Sequence, residues 1–277
     1  MLAAERDALT VRTACPLADA EIMLVHGMTS SHRYWGANLG PLAARCRVVA
    51  PDLLGFGDSP KPEDSRYGPA EHAAALARLL ERGTQPAVVV GHSLGALLSL
   101  HLAVHFPRLI RGVALISLPF FDTEAEARTQ LARGSAMARL QIERPRLARL
   151  FCWGVCHARP LMRAAMPLLE RDVPPAVARA AVDHTWASAS RTVEGVILGT
   201  RPRALLDQLP AGRLLLIHAA DDRTAPVATV TEYARRRAGV EAVTFARGGH
   251  HPYLRQREAV CEAIVAFVDR LPRTALA

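Results

Sequence analysis

Apolar and polar positions along this chain follow two periods in turn. Short runs at 21–26, 47–51, 87–91, 111–118, 213–219 and 240–246 are rich in Val, Ile and Leu and nearly continuous in apolar character. They are too short for helices, so they predict strands buried on both faces. Between them Ala and Leu recur at three- and four-residue spacing, which predicts helices. Strands alternating with helices imply right-handed crossovers and a mostly parallel sheet covered on both sides. The stretch 87–106 is mostly apolar and about as long as a bilayer-spanning helix. Yet Gly91, His92, Ser93 and Gly95 interrupt it, His101 and His105 follow, and Val88-Val89-Val90 gives way to Ala and Leu at the glycines. The pattern predicts a buried strand turning sharply into a buried helix, not a membrane span.

The alternation stops between about 121 and 208. No strand pattern appears there, and Arg, Ala, Leu and Met recur at helical spacing, punctuated by Pro145, Pro160, Pro167 and Pro174-Pro175. Three to five helices are expected. The chain is therefore divided into a core, 1–120 with 209–277, and a helical insertion, 121–208. A strand precedes the insertion and a strand follows it, so it leaves and re-enters at the carboxyl ends of the strands, where open α/β sheets bind ligands. A cap over a site is expected.

The chain has 277 residues, half of them hydrophobic, which suits one domain with an insertion. A charged fraction of 22% with apolar residues throughout excludes a disordered or fibrous protein. The net charge of +8 would suit nucleic acid, but Lys61 is the sole lysine and the arginines are scattered through an alanine-rich chain, so no nucleic-acid partner is expected. Five cysteines at irregular spacing make no disulfide framework, and Met1-Leu-Ala-Ala-Glu-Arg-Asp7 lacks the apolar centre of a signal peptide. A cytoplasmic location without membrane insertion is the expectation, and the oligomeric state stays open.

Gly91-His92-Ser93-Leu94-Gly95 is a G-x-S-x-G sequence between a strand and a helix. A turn this tight leaves no room for side chains beside the serine, which projects above the sheet while the helix N-terminus favours developing negative charge. His26-Gly27-Met28 follows the first strong strand, and Pro51-Asp52-Leu53-Leu54-Gly55-Phe56-Gly57-Asp58-Ser59 follows the second. In these three motifs, in this order, the chain resembles the α/β-hydrolase family over most of its length. The resemblance implies an α/β-hydrolase fold, Ser93 as nucleophile, and the main-chain N–H groups of Met28 and Leu94 as oxyanion donors. It also implies the chain order Ser, Asp or Glu, His. Asp221-Asp222-Arg223-Thr224-Ala225-Pro226 is similar to the family's acid loop and selects Asp222, with Asp221 and Asp122 as alternatives. Arg247-Gly248-Gly249-His250-His251-Pro252 is similar to its Gly-His loop and makes His250 the base.

The resemblance has departures. Where many relatives start a helix with Glu-x-Pro, this chain has Arg255-Gln256-Arg257, and no Trp follows His250, as it does in several C–C bond hydrolases. Haloalkane dehalogenases and epoxide hydrolases of this fold use an elbow aspartate, which Ser93 excludes. The expected function is a serine hydrolase cleaving a carboxylic ester, lactone or thioester of a mainly apolar small molecule. A C–C hydrolase, an acyl-transfer or lyase step, and a non-catalytic ligand-binding protein are the alternatives. No cofactor or metal is needed for this chemistry.

Other residues have plainer readings. His101 and His105 lack the H-E-x-x-H pattern and are expected to pack. Cys152, Cys156 and His157 match no redox or haem motif and are expected as buried thiols in a helix. Arg133, Arg139, Arg144, Arg146 and Arg149 are expected on a solvated face, with an acidic-substrate site as the alternative. Phe120, Phe121, Trp153, Met162, Met166 and Trp186 are candidates for a substrate pocket or for the insertion's own core.

Overall fold

The computed structural model describes residues 9–14, 21–36, 39, 41–134 and 136–276. The amino-terminal segment in which no leader was recognised lies outside the described residues. Seven strands form one sheet: β1 Val11–Ala14, β2 Glu21–Val25, β3 Arg47–Pro51, β4 Ala87–His92, β5 Ile110–Ile116, β6 Leu214–Ala219 and β7 Glu241–Phe245. Their spatial order is β1-β3-β2-β4-β5-β6-β7. All neighbouring pairs are parallel except β1 with β3. Six strands match the apolar runs to within two residues at either end. β1 was not expected, because four residues with polar Arg12 and Thr13 carry too little apolar signal for a strand at the sheet's edge.

Period-two alternation sorts the strand side chains between two cores. Met23 and Val25 of β2, Val89 of β4 and Leu216 of β6 enter one core, while Ile22, Leu24, Val88, Val90 and Ile217 enter the other. Both faces of the central strands are thus dry, which is why those strands are apolar without alternation. At the far edge, β7 alternates between half-buried and exposed positions, as a strand with a solvent face should. The helix Leu94–His105 is rich in Leu and Ala and is buried on nearly every side over the first core.

The chain runs from β2 outward to β3 and then crosses back past β2 to β4, so the direction of winding reverses between β2 and β4. Such a reversal opens a crevice at the carboxyl ends of the strands. The residues after β2, β4, β6 and β7 all emerge at that end.

Between β5 and β6 the described residues form helices and no strand. These are Glu124–Gly134, Ala136–Glu143, Pro145–His157, Arg159–Leu169, Pro175–Ala180, Trp186–Thr192 and Pro202–Leu206, with a π-helical turn at Val193–Leu198 and a short 3-10 turn at Ala211–Arg213. They exceed the three to five expected, because breaks without a proline, such as that between Ala180 and Trp186, add to those the prolines mark, although Pro167 lies inside a helix. Pro145, Pro160 and Pro175 each stand in the first turn of a helix, where the missing N–H costs nothing.

Candidate active site

Ser93 occupies the sharp turn between β4 and the helix Leu94–His105, with φ 53° and ψ −116°. A non-glycine residue in that region carries strain on the order of 1–3 kcal/mol, which the surrounding packing must hold. The hold is visible. Ser93 N–H donates to the Ile116 carbonyl of β5 at 2.9 Å, and the flanking glycines permit the close approach. A Cβ on Gly91 would strike the Gly95 carbonyl, and one on Gly95 would lie 2.6 Å from the His26 carbonyl. Either would push the helix away from the strands, and the serine with it.

Two loops bring partners to Ser93. The loop after β7 carries His250, whose Nε2 lies 2.8 Å from Ser93 Oγ. The loop after β6 carries Asp222, whose Oδ2 lies 2.9 Å from His250 Nδ1. Burial alone would raise the Asp222 carboxyl, but hydrogen bonds from His218, His250 and the Ala225 amide outweigh it and hold the group well below the usual carboxylate range. Its Oδ1 also accepts from the Thr224 and Ala225 amides at 2.8 and 2.9 Å. An ionised Asp222 accepts a hydrogen bond from His250 Nδ1–H and so keeps the ring proton on Nδ1, which leaves the Nε2 lone pair to accept from the Ser93 hydroxyl. Ser93 is 9% exposed, nearly dry but still open to solvent.

The other carboxylates lie elsewhere. Asp221 Oδ1 accepts from the Gly249 amide at 2.7 Å and so ties the acid loop to the histidine loop. Asp122 is paired with Arg203 at 2.9 Å, exposed to solvent.

His26 shapes the segment beside the serine. Its Nε2 accepts from the Leu53 amide at 2.9 Å, so the ring proton sits on Nδ1 and is donated to the Gly27 carbonyl at 2.8 Å. Burial lowers this imidazole to about 4, keeping it neutral. Asp52 organises the loop after β3. It accepts from the His32 amide and ring and from the Asp58 amide at 2.6 to 2.8 Å, and these bonds outweigh burial to lower the carboxyl to about 2. The Gly27-Met28 segment runs against the elbow, for a Cβ on Gly27 would lie 2.8 Å from His92 Nδ1. Thr29, next to Met28, has φ 46°. Among the described residues the Met28 and Leu94 amides have no hydrogen-bond partner. Two donors without partners near the Ser93 hydroxyl are the arrangement a developing oxyanion would need.

Two residues in contact with this constellation escape the sequence reading. His92 stacks on Tyr34 with ring centroids 4.5 Å apart and donates from Nε2 to the His250 carbonyl at 2.7 Å. Burial drives its imidazole well below its ordinary value, so it is a neutral single donor. His218 lies under Asp222, with Nε2 2.5 Å from the Ala225 carbonyl and 3.4 Å from Asp222 Oδ2. Its signal was present, as a lone polar residue ending an aliphatic strand.

The pocket candidates divide. Phe120 and Phe121 are fully buried in the first core, where Phe120 meets Tyr233 and carries Arg203 over its ring. Trp153 is 60% exposed and rests on His157, because its helix turns Ala148 and Cys152 inward instead. Met162, Met166 and Trp186 are half-buried. His101 pairs with Thr200 at 2.9 Å and stacks on His105. The Cys152 and Cys156 sulfurs lie 4.0 Å apart, Cys152 buried and Cys156 half-buried. Among the described residues no His, Cys, Asp or Glu cluster could hold a metal, and no helix is long and apolar enough to cross a membrane.

The chain and its fold have known counterparts. The chain is similar to a probable lysophospholipase, BODYGUARD 3, of Arabidopsis thaliana, at 27% identity over 252 residues covering 79% of this chain and 50% of that protein. It therefore spans about half the length of that relative. Its fold is that of an esterase from Rhodococcus sp. ECU1013, with a TM-score of 0.71, 20% identity and 95% of each chain covered. A meta-cleavage product hydrolase from Pseudomonas fluorescens IP01 shares the fold with a TM-score of 0.60 and 17% identity, over 94% of each chain. The model of the alpha/beta hydrolase family matches residues 22–263, and with the sheet order and the serine elbow already described, the chain belongs to that family.

Proposed function

We propose that the protein is a serine hydrolase that cleaves the carboxylic ester of a mainly apolar small molecule. The observation that carries this reading is the unbroken line from Asp222 through His250 to Ser93 Oγ, at 2.9 and 2.8 Å. As Ser93 Oγ attacks the carbonyl carbon, its proton passes to His250 Nε2, and Asp222 holds the resulting imidazolium. The carbonyl electrons move to oxygen, where the Met28 and Leu94 amides receive the charge, each worth about 3 kcal/mol in the transition state. Collapse of the intermediate expels the alcohol, which takes the proton from His250. A water deprotonated by the same Nε2 then attacks the acyl-serine and releases the acid and Ser93.

In this reading the helices between β5 and β6 form the cap over the site, and Met162, Met166 and Trp186 take the acyl group. The likeness to a probable lysophospholipase supports an acyl chain of some length. The test is a series of aryl esters of increasing acyl length with the wild type and Ser93→Ala. Turnover by the wild type and a loss on the order of 10⁴-fold or more in the variant is expected. A variant as active as the wild type would sink the proposal.

A further inference from the structure

We infer that the outer face of the helices Pro145–His157 and Arg159–Leu169 is a docking surface for a negatively charged lipid membrane. Apart from Val11, every large apolar side chain exposed among the described residues lies between Met137 and Leu169. On the first helix Leu147, Leu150 and Phe151 stand at i, i+3 and i+4, one outward stripe opposite the inward Ala148 and Cys152. On the second, Leu161 and Leu168 stand two turns apart on one side, with Leu169 beside them. Leu150, Leu161, Leu168 and Leu169 each expose more than the 60% of Trp153. Soluble surfaces seldom leave so many large apolar side chains uncovered on two successive helices, and such clusters mark interaction sites.

The charge of the segment that carries this face selects the occupant. From Arg133 to Arg171 the sequence holds eight arginines against two acids, Glu143 and Glu170, a surplus of six in a chain whose total is +8. Arg159 and Arg163 are engaged within the protein, with the His184 carbonyl and with Asp183. Arg133, Arg139, Arg144, Arg146 and Arg149 are exposed and have no carboxylate partner among the described residues. Two copies pairing through this face would set like charges against each other. Nucleic acid would satisfy the arginines and leave the leucines wet. An anionic bilayer satisfies both, with Leu, Phe and Trp in its interface and Arg at its headgroups. The helices would lie on the membrane, since neither is long enough to span it. The inference rests on this surface and not on the chemistry at Ser93.

The test is co-sedimentation of the full chain with vesicles of phosphatidylcholine, alone or with about one-third phosphatidylglycerol. Binding to the anionic vesicles about tenfold or more tighter than to the neutral ones is expected, weakening with added salt and shifting Trp153 emission to the blue. Arg146→Glu with Arg149→Glu, and separately Leu150→Ser with Leu161→Ser and Leu168→Ser, should each weaken that binding about tenfold or more. Both should melt like the wild type and leave hydrolysis of a soluble short-chain ester unchanged. Equal binding to the two lipids, binding to neither, wild-type affinity in either variant, or a dimer that the leucine variant dissociates would each overturn the inference.

Discussion

His92 stands beside Ser93 and, in the proposed mechanism, acts on His250. Its Nε2–H fixes the His250 carbonyl at 2.7 Å, and its ring is held between Tyr34 and the histidine loop. Removing the donor leaves His250 free to drift from Ser93, and a displacement of an ångström can cost about a hundredfold in rate. His92→Phe keeps the stacking and loses the donor. It is expected to lower kcat by about ten- to a hundredfold with KM little changed, while His92→Gln, which restores an N–H donor, recovers part of the loss. Steady-state kinetics on one ester decides this, and a wild-type kcat in His92→Phe would remove His92 from a positioning role. The same scale shows why sequence alone left the acid open. Asp221 and Asp222 are adjacent and chemically identical, and only the turn made by the Thr224 and Ala225 amides decides which carboxylate faces the imidazole.

Buried histidines join elements as well as residues. His26 ties the end of β2 to the loop after β3 through the Leu53 amide, and His72 reaches Thr192 Oγ1 at 3.3 Å, linking the helix Pro69–Leu80 to Trp186–Thr192. Burial lowers both imidazoles from 6.5 to about 4. Between those values the unfolded chain binds protons that the folded one refuses, so stability falls as pH falls. The loss is at most about 3 kcal/mol per histidine and levels off below the folded value. Asp52 acts in a lower window. Its carboxyl is lowered from 3.8 to about 2, so its contribution is complete above 3.8 and is lost as pH falls toward 2. The melting temperature should therefore decline steadily from pH 6.5 to pH 4 and continue to fall below it. A melting temperature that is flat over the upper window would contradict this account.

At the scale of the molecule, what was legible in the chain was what burial on both faces imposes. Strands such as Val88-Val89-Val90 and Leu214-Leu215-Leu216 are apolar without interruption because each face meets its own core, and glycines mark the elbow because backbone approaches backbone there. The partly exposed pieces were less legible. β1 is short and lies at an edge, and the helices between β5 and β6 expose apolar residues, so their inward faces cannot be told from outward ones by hydrophobicity. Trp153 shows this, grouped with pocket candidates by type yet facing solvent, and Phe120 and Phe121 show the reverse, buried in the core. The central claim, that Ser93 is a nucleophile activated by His250, is tested most directly by reaction with a fluorophosphonate followed by peptide mass spectrometry. The account predicts one adduct, on Ser93, that forms in the wild type and is lost in His250→Ala. Folded protein that takes up no label, or labels elsewhere with Ser93 unmodified, would contradict it.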